Sequence, residues 1–210
     1  MQTLDQNAVH GLLSLLRQSR PAVFGLDQHG FLLNQPISEV DLSTFEHEYG
    51  VSLPSDYRHF ISEIGDGGAG PFYGFFDRNS GIEKWTECSD IVGDLSEPFA
   101  PEGEWNDLSE LPPDDLLQRD RDEYDRRMSA FDEAYWSSTL LNGAIPLCHE
   151  GCALRIYLVV AGGEAGHLWE DRRSEYEGLK PLRSKDGSSL TFSRWYQNWL
   201  RQCADAARLP

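Results

Sequence analysis

The stretch from Ile37 to Gly70, ISEVDLSTFEHEYGVSLPSDYRHFISEIGDGGAG, constrains this chain more than any other, because it spells two capped helices and a glycine-rich exit in one unit. Ser38 is placed to cap a first helix, Asp41 sits in the first turn where a carboxylate suits the helix dipole, and Gly50 stops it. Leu53-Pro54-Ser55-Asp56 opens a second helix, with Pro54 where a missing N–H costs no bond. Tyr57, Phe60, Ile61 and Ile64 then recur at i, i+3, i+4 and i+7, an apolar stripe that must face a core, and Gly65 ends the helix.

Written as a pattern, the unit is acidic-x-x-aromatic-Gly-x-x-Leu-Pro-x-Asp-Tyr-Arg-x-Phe-Ile followed by Gly-Asp-Gly-Gly. It is carried by Glu46, Tyr49, Gly50, Leu53, Pro54, Asp56, Tyr57, Arg58, Phe60, Ile61 and Gly65 to Gly68. This pattern resembles the signature of the SUKH superfamily, which includes a fungal cell-wall-synthesis regulator and bacterial immunity proteins that neutralise polymorphic toxins. Gly166-His167-Leu168-Trp169 resembles the late strand of that family, and Phe192, Trp195, Tyr196 and Trp199 resemble its closing helix. The resemblance implies a fold, with Gly50, Leu53, Pro54, Tyr57, Phe60, Gly65, Gly67, Gly68, Trp195 and Trp199 as its structural motif, and a partner-binding protein with no catalytic residue and no cofactor. Residues 86 to 135 show no such likeness.

Outside the unit, residues 3 to 18 read as a helix with Val9, Leu12, Leu13 and Leu16 on one face and Thr3 or Asp5 as cap. Gly25 to Pro36 reads as a connection with a short strand at Phe31 to Leu33, Phe72 to Phe76 as a short aromatic strand, residues 77 to 81 as a turn, and Ile82 to Ile91 as a further extended or helical piece. Residues 93 to 113 hold four of the 11 prolines and read as a surface loop. A long helix is expected from Asp114, with Leu117, Tyr124, Met128, Phe131 and Tyr135 inward and Asp115/Arg119, Asp122/Arg126 and Glu123/Arg127 paired at i, i+4. Ala144–Leu147 and Ala153–Val160 read as strands joined through Cys148–Cys152, followed by a third strand at Gly166–Glu170. A last helix spans about Phe192 to Ala206, capped by Thr191, with Phe192, Trp195, Tyr196, Trp199, Leu200 and Cys203 inward. Helices grouped before and after a run of strands give an α+β fold: a single domain over 1–210, a mixed or mainly antiparallel sheet packed by N-terminal helices and a Trp-rich C-terminal helix, with 86–135 as an acidic loop-plus-helix and candidate insertion.

Charge narrows the function. The chain of 210 residues has a net charge of −17, and residues 86 to 135 carry 16 Asp and Glu against 4 Arg, while residues 136 to 210 carry 8 against 9 Lys and Arg. Acidity so concentrated repels phosphate backbones and anionic lipid, which argues against nucleic acid and membrane as partners and favours a basic protein. No basic-then-apolar leader and no apolar run long enough for a bilayer is visible, and four cysteines are too sparse for a disulfide framework, so a cytoplasmic location is expected.

Other chemistry is weaker. The Gly65–Gly70 run follows a helix, lacks the Lys of a phosphate loop and leads to Pro71, so it reads as a helix stop and sharp turn. Cys148-His149-x-x-Cys152, with His167 and Cys203, is one close cysteine pair without a second, and it reads as unreactive thiols and no metal site. No basic neighbour in sequence activates Cys88, Cys148, Cys152 or Cys203, and the adjacent carboxylates Glu170-Asp171 and Asp114-Asp115 are expected by chance in a chain with 35 acidic residues. Trp169, Trp195 and Trp199 read as core, whereas Trp105 reads as an exposed indole among carboxylates.

The expected function is therefore that of a non-enzymatic immunity-type protein that neutralises a toxin domain, of basic nuclease type, through an acidic surface: Trp105, Asp107, Glu110, Asp114, Asp115, Asp120, Asp122 and Glu123. The alternative is an intracellular regulatory or scaffolding module of the same fold, and the third reading is a small hydrolase using carboxylates or thiols.

Overall fold

The computed structural model describes residues 4–77 and 92–209; the expected piece at Ile82–Ile91, most of the turn before it, Trp85 and Cys88 lie outside these residues. Helix α1 (Gln6–Ser19) starts at Asp5, whose carboxylate accepts the Ala8 amide at 2.7 Å, and it buries Val9, Leu13 and Leu16. Between it and the motif the chain makes one short helix, α2 (Leu26–His29), where a connection with a strand was expected; only Leu33 pairs there, in a single bridge to Gly68.

The motif folds as its spacing dictates. Helix α3 (Glu39–Glu48) has the Ser38 hydroxyl accepting the Asp41 amide at 3.1 Å, and Gly50 follows with φ +64. Helix α4 (Ser55–His59) runs on into one wider turn over Phe60–Ile64, closed by the Gly65 amide on the Phe60 carbonyl at 2.9 Å, an i→i+5 bond. Tyr57, Phe60, Ile61 and Ile64 are all buried. Glu46 locks the two helices together: its carboxylate accepts the Leu53 amide at 2.9 Å and the Arg58 guanidinium at 3.2 Å, and Arg58 also reaches Glu39.

The glycine run beyond α4 is zipped between two chain segments. Gly68 bridges Leu33 on one side and Phe75 on the other, with its φ at +94, and a Cβ there would strike the Leu32 carbonyl oxygen. The amides of Gly68 and Ala69 are committed to Phe75 and Leu32, which leaves them unable to cradle an anion and agrees with a structural turn. Phe72–Phe76 forms no strand of its own; the Phe75 bridge and the Phe76 amide on the Leu147 carbonyl, 2.9 Å, are what pairing it has.

The sheet is wholly antiparallel in the order β1 (Ala144–Gly151), β2 (Leu154–Val159), β3 (Leu168–Asp171) and β4 (Leu179–Pro181). β1 runs on through Cys148 to Gly151, where a connection was expected, because the turn needs only Cys152 and Ala153, both with positive φ as a tight hairpin twist requires. The register shifts between His149 and Gly151, making Glu150 a bulge. β4 went unforeseen.

Both faces of the sheet are covered. Ile156 and Leu158 on β2 and Leu168 on β3 face a core shared with α1, α3, α4 and α7 (Phe192–Ala207), including Trp195, Tyr196 and Trp199. Tyr157, Val159 and Trp169 point the other way, into a second core with Phe99, Leu141 and Leu179, edged by Trp105. Helix α7 begins at Thr191, but the side chain of Thr191 makes no capping bond; Asp56 supplies it instead, accepting the Ser193 amide at 2.9 Å from 137 residues away. The motif Asp thus joins the first half of the fold to the last helix.

Candidate partner-binding surface

The segment that carries the acidic residues is built onto the β4 edge. Trp105 and Leu179 exchange backbone bonds of 2.9 and 2.7 Å, and Gly178 (φ +73) lets the chains meet, since a Cβ there would strike the Trp105 carbonyl. Leu95 and Phe99, inside the expected surface loop, are buried. The Trp105 indole is half-buried with its ring centroid 5.4 Å from that of Tyr135, so the expectation of an exposed indole is corrected: pairing to Leu179 turns the side chain onto the second core.

The acidic helix is two helices. Helix α5 (Asp114–Arg119) stops at Asp120, whose carboxylate accepts the Glu123 amide at 3.1 Å and so starts α6 (Arg121–Tyr135). An Asp that competes for backbone amides breaks an apolar period that otherwise reads as continuous. At its other end α6 is held from inside the protein. Tyr135 donates from its hydroxyl to Asn106 at 2.7 Å, and the carbonyls of Tyr135 and Ser137 accept from the Arg173 guanidinium at 3.1 and 3.3 Å. Arg173 is 1% exposed, lies 5.3 Å from the Trp136 ring centroid and makes a two-pronged pair with Asp171 at 2.9 and 2.8 Å. A cation at a helix C-terminus also complements the dipole.

On this frame Asp107, Glu110, Asp114, Asp115, Asp120 and Asp122 are exposed and Glu123 is half-buried. Several are already engaged. Asp107 accepts from Ser109, whose hydroxyl and amide hold its carboxyl below the usual carboxylate range. Asp115 pairs with Arg119 at 2.9 Å, as expected, whereas Arg126 takes Glu123 one turn back, at 2.8 and 2.7 Å, in place of the expected Asp122/Arg126 and Glu123/Arg127 pairs. That bond keeps the Glu123 carboxyl low. The side chains of Glu110, Asp114 and Asp122 make no hydrogen bond or ion pair among the described residues.

The other candidates do not converge. Cys148 and Cys203 are buried, and burial pushes the Cys203 thiol up to about 12, while Cys152 is exposed in the hairpin turn. His149 stacks on Tyr73, ring centroids 4.6 Å apart, and His167 pairs with Glu164 at 3.1 Å. Among the described residues no group of three or more His, Cys, Asp or Glu is arranged to hold a metal ion, and no helix is long and apolar enough to cross a membrane. Glu170 and Asp171 point to opposite faces of β3: Asp171 is buried with Arg173, and Glu170 lies on the side of Glu150. Burial first, and repulsion from Glu170 second, push the Glu150 carboxyl up to about 7; the bulge that places it left no mark in the sequence period.

What this geometry defines is a single α+β domain in which a locked helix pair and a glycine turn feed an antiparallel meander closed by a Trp-rich helix. The sequence profile of the SMI1 / KNR4 family (SUKH-1) matches residues 36–181, more than half of the chain, and the chain belongs to that family. The matched span holds the motif and the sheet and stops short of α7. Nothing among curated proteins and nothing among solved structures matches.

Proposed function

We propose that this chain is a non-enzymatic immunity-type protein of the cytoplasm that binds a basic toxin domain, of nuclease type, and blocks it with the acidic surface of α5, α6 and the loop before them. The observation that carries the reading is the placement of Glu110, Asp114 and Asp122: exposed, unpaired among the described residues, and mounted on a segment anchored by Trp105, Tyr135 and Arg173. A predominantly acidic surface held in place by buried contacts loses little order on binding and steers an oppositely charged partner to it. A toxin that cuts nucleic acid must present positive charge to hold phosphate, and such a surface covers it. Asp107, Asp115, Asp120 and Glu123 add to the field while serving the local structure. Trp105, half-buried, contributes above all the position of the segment.

The test is co-expression with the product of the neighbouring gene. Survival only in the presence of this chain, with a purified complex of the two, supports the reading. A co-purified signalling or envelope-synthesis protein with no toxicity to relieve would move the assignment to a regulatory module of the same fold.

A further inference from the structure

Helix α7 borders two hollows that adjoin. The Arg183–Thr191 loop and the polar side of α7 enclose a groove of about 860 Å3 carrying Arg183, Lys185, Arg194 and Arg201, all exposed. On the other side, Val23, Phe24 and Phe72 approach Trp195 and Trp199 around an apolar groove of about 430 Å3. Leu190, Asn198 and Gln202 line both, so the two lie side by side and are together termed the trough. The carboxylates of the polar half are largely spent: Asp56 is buried on the Ser193 amide, and Asp186 is bound to Arg194 and to Ser184 and Ser188, leaving Asp205. Arg183 and Arg201 donate only to neutral oxygens, those of Gly187 and Asn198, and neither they nor Lys185 has a carboxylate partner among the described residues. Ser193 lines the same groove, and its buried hydroxyl has no hydrogen-bond partner among the described residues.

We infer that this trough receives an acidic segment of a partner polypeptide, with one aromatic or branched apolar side chain against Phe24, Phe72 and Trp195 and its carboxylates over Arg183, Lys185 and Arg201. Charge complementarity selects the occupant. A basic segment would meet unpaired cations, and a sugar-phosphate backbone carries no apolar side chain to lay against Phe24, Phe72 and Trp195. The surface is separate from the acidic one: α7 covers the core on one face of the sheet and the acidic segment edges the core on the other. It is also of opposite sign, so the chain offers two partners, or two parts of one, surfaces of different charge.

The experiment uses the full chain and short fluorescein-labelled peptides: one with a single Trp flanked by Glu and Asp, its charge-reversed Lys counterpart, and the acidic peptide with Ser for Trp. Fluorescence anisotropy should show saturable binding of the acidic Trp peptide alone, weakening as salt rises. The double variant Lys185→Glu/Arg201→Glu should weaken it by about tenfold or more, and Phe24→Ala several-fold, while Asp114→Asn/Asp122→Asn leaves it unchanged. All these side chains are exposed, and an unfolding curve for each variant confirms the fold. Equal binding of the acidic and charge-reversed peptides, or unchanged binding in the Lys185/Arg201 variant, overturns the proposal.

Discussion

Outside the helical motif, the Arg173 guanidinium does several jobs at once: it satisfies Asp171, the carbonyls of Tyr135 at the end of α6 and of Ser137 just beyond it, and the face of Trp136. Removing one partner of a buried pair leaves the other charge without compensation, a cost of about 3–5 kcal/mol. Arg173→Met should therefore lower the urea unfolding free energy by that amount, and a loss below about 1 kcal/mol would mean the pair is not buried in solution. Glu150 gives a pH signature. Its carboxyl is pushed from near 4.5 up to about 7 by burial and by Glu170, so the folded protein keeps a proton that the unfolded chain releases. The stability tied to that proton is fully present below 4.5 and is lost as pH rises through 7. Glu150→Gln should thus raise the urea midpoint at about pH 8 and leave it little changed at about pH 4; parallel curves for the two proteins across that range would rule the assignment out.

Among the elements, α7 carries the largest apolar load, with Phe192, Trp195, Tyr196, Trp199, Leu200 and Cys203 all buried. Trp199→Ala should cost about 3–5 kcal/mol in thermal or urea unfolding, as a large ring lost from a core. A change under about 1 kcal/mol would make the helix peripheral. The stripes of α4 and α7 were legible because a helical period is written within a few turns, and Ser38 and Asp5 because a cap sits beside the helix it serves. What stayed hidden depends on residues far apart in sequence. Leu179–Pro181 is too short to show a period and becomes a strand by pairing with β3 and Trp105. Trp105 looked exposed because Leu179 and Tyr135, which bury it, are distant, and Thr191 looked like the cap of α7 because Asp56 is more distant still. The split at Asp120 does have a local mark, since an Asp before Arg-Asp-Glu is itself a capping signal, but the apolar period runs across it without a break.

At the scale of the whole molecule, the apolar groups close both faces of the sheet, while Glu110, Asp114 and Asp122 stand exposed and unpaired among the described residues, and on the proposed reading these serve recognition rather than stability. Asn replaces Asp at helix N-caps with little loss, so changing Asp114, Asp115, Asp120 and Asp122 together to Asn removes charge while position 120 keeps a side chain that can cap α6. The most direct test is stopped-flow association of the wild-type chain and this quadruple variant with the cognate partner at low and high salt, alongside their unfolding curves. The account predicts nearly equal unfolding free energies, a wild-type on-rate that falls as ionic strength rises, and an on-rate for the variant lower by about tenfold or more at low salt. Equal on-rates for the two proteins, insensitive to salt, would contradict it and leave the acidity as a property of solubility alone.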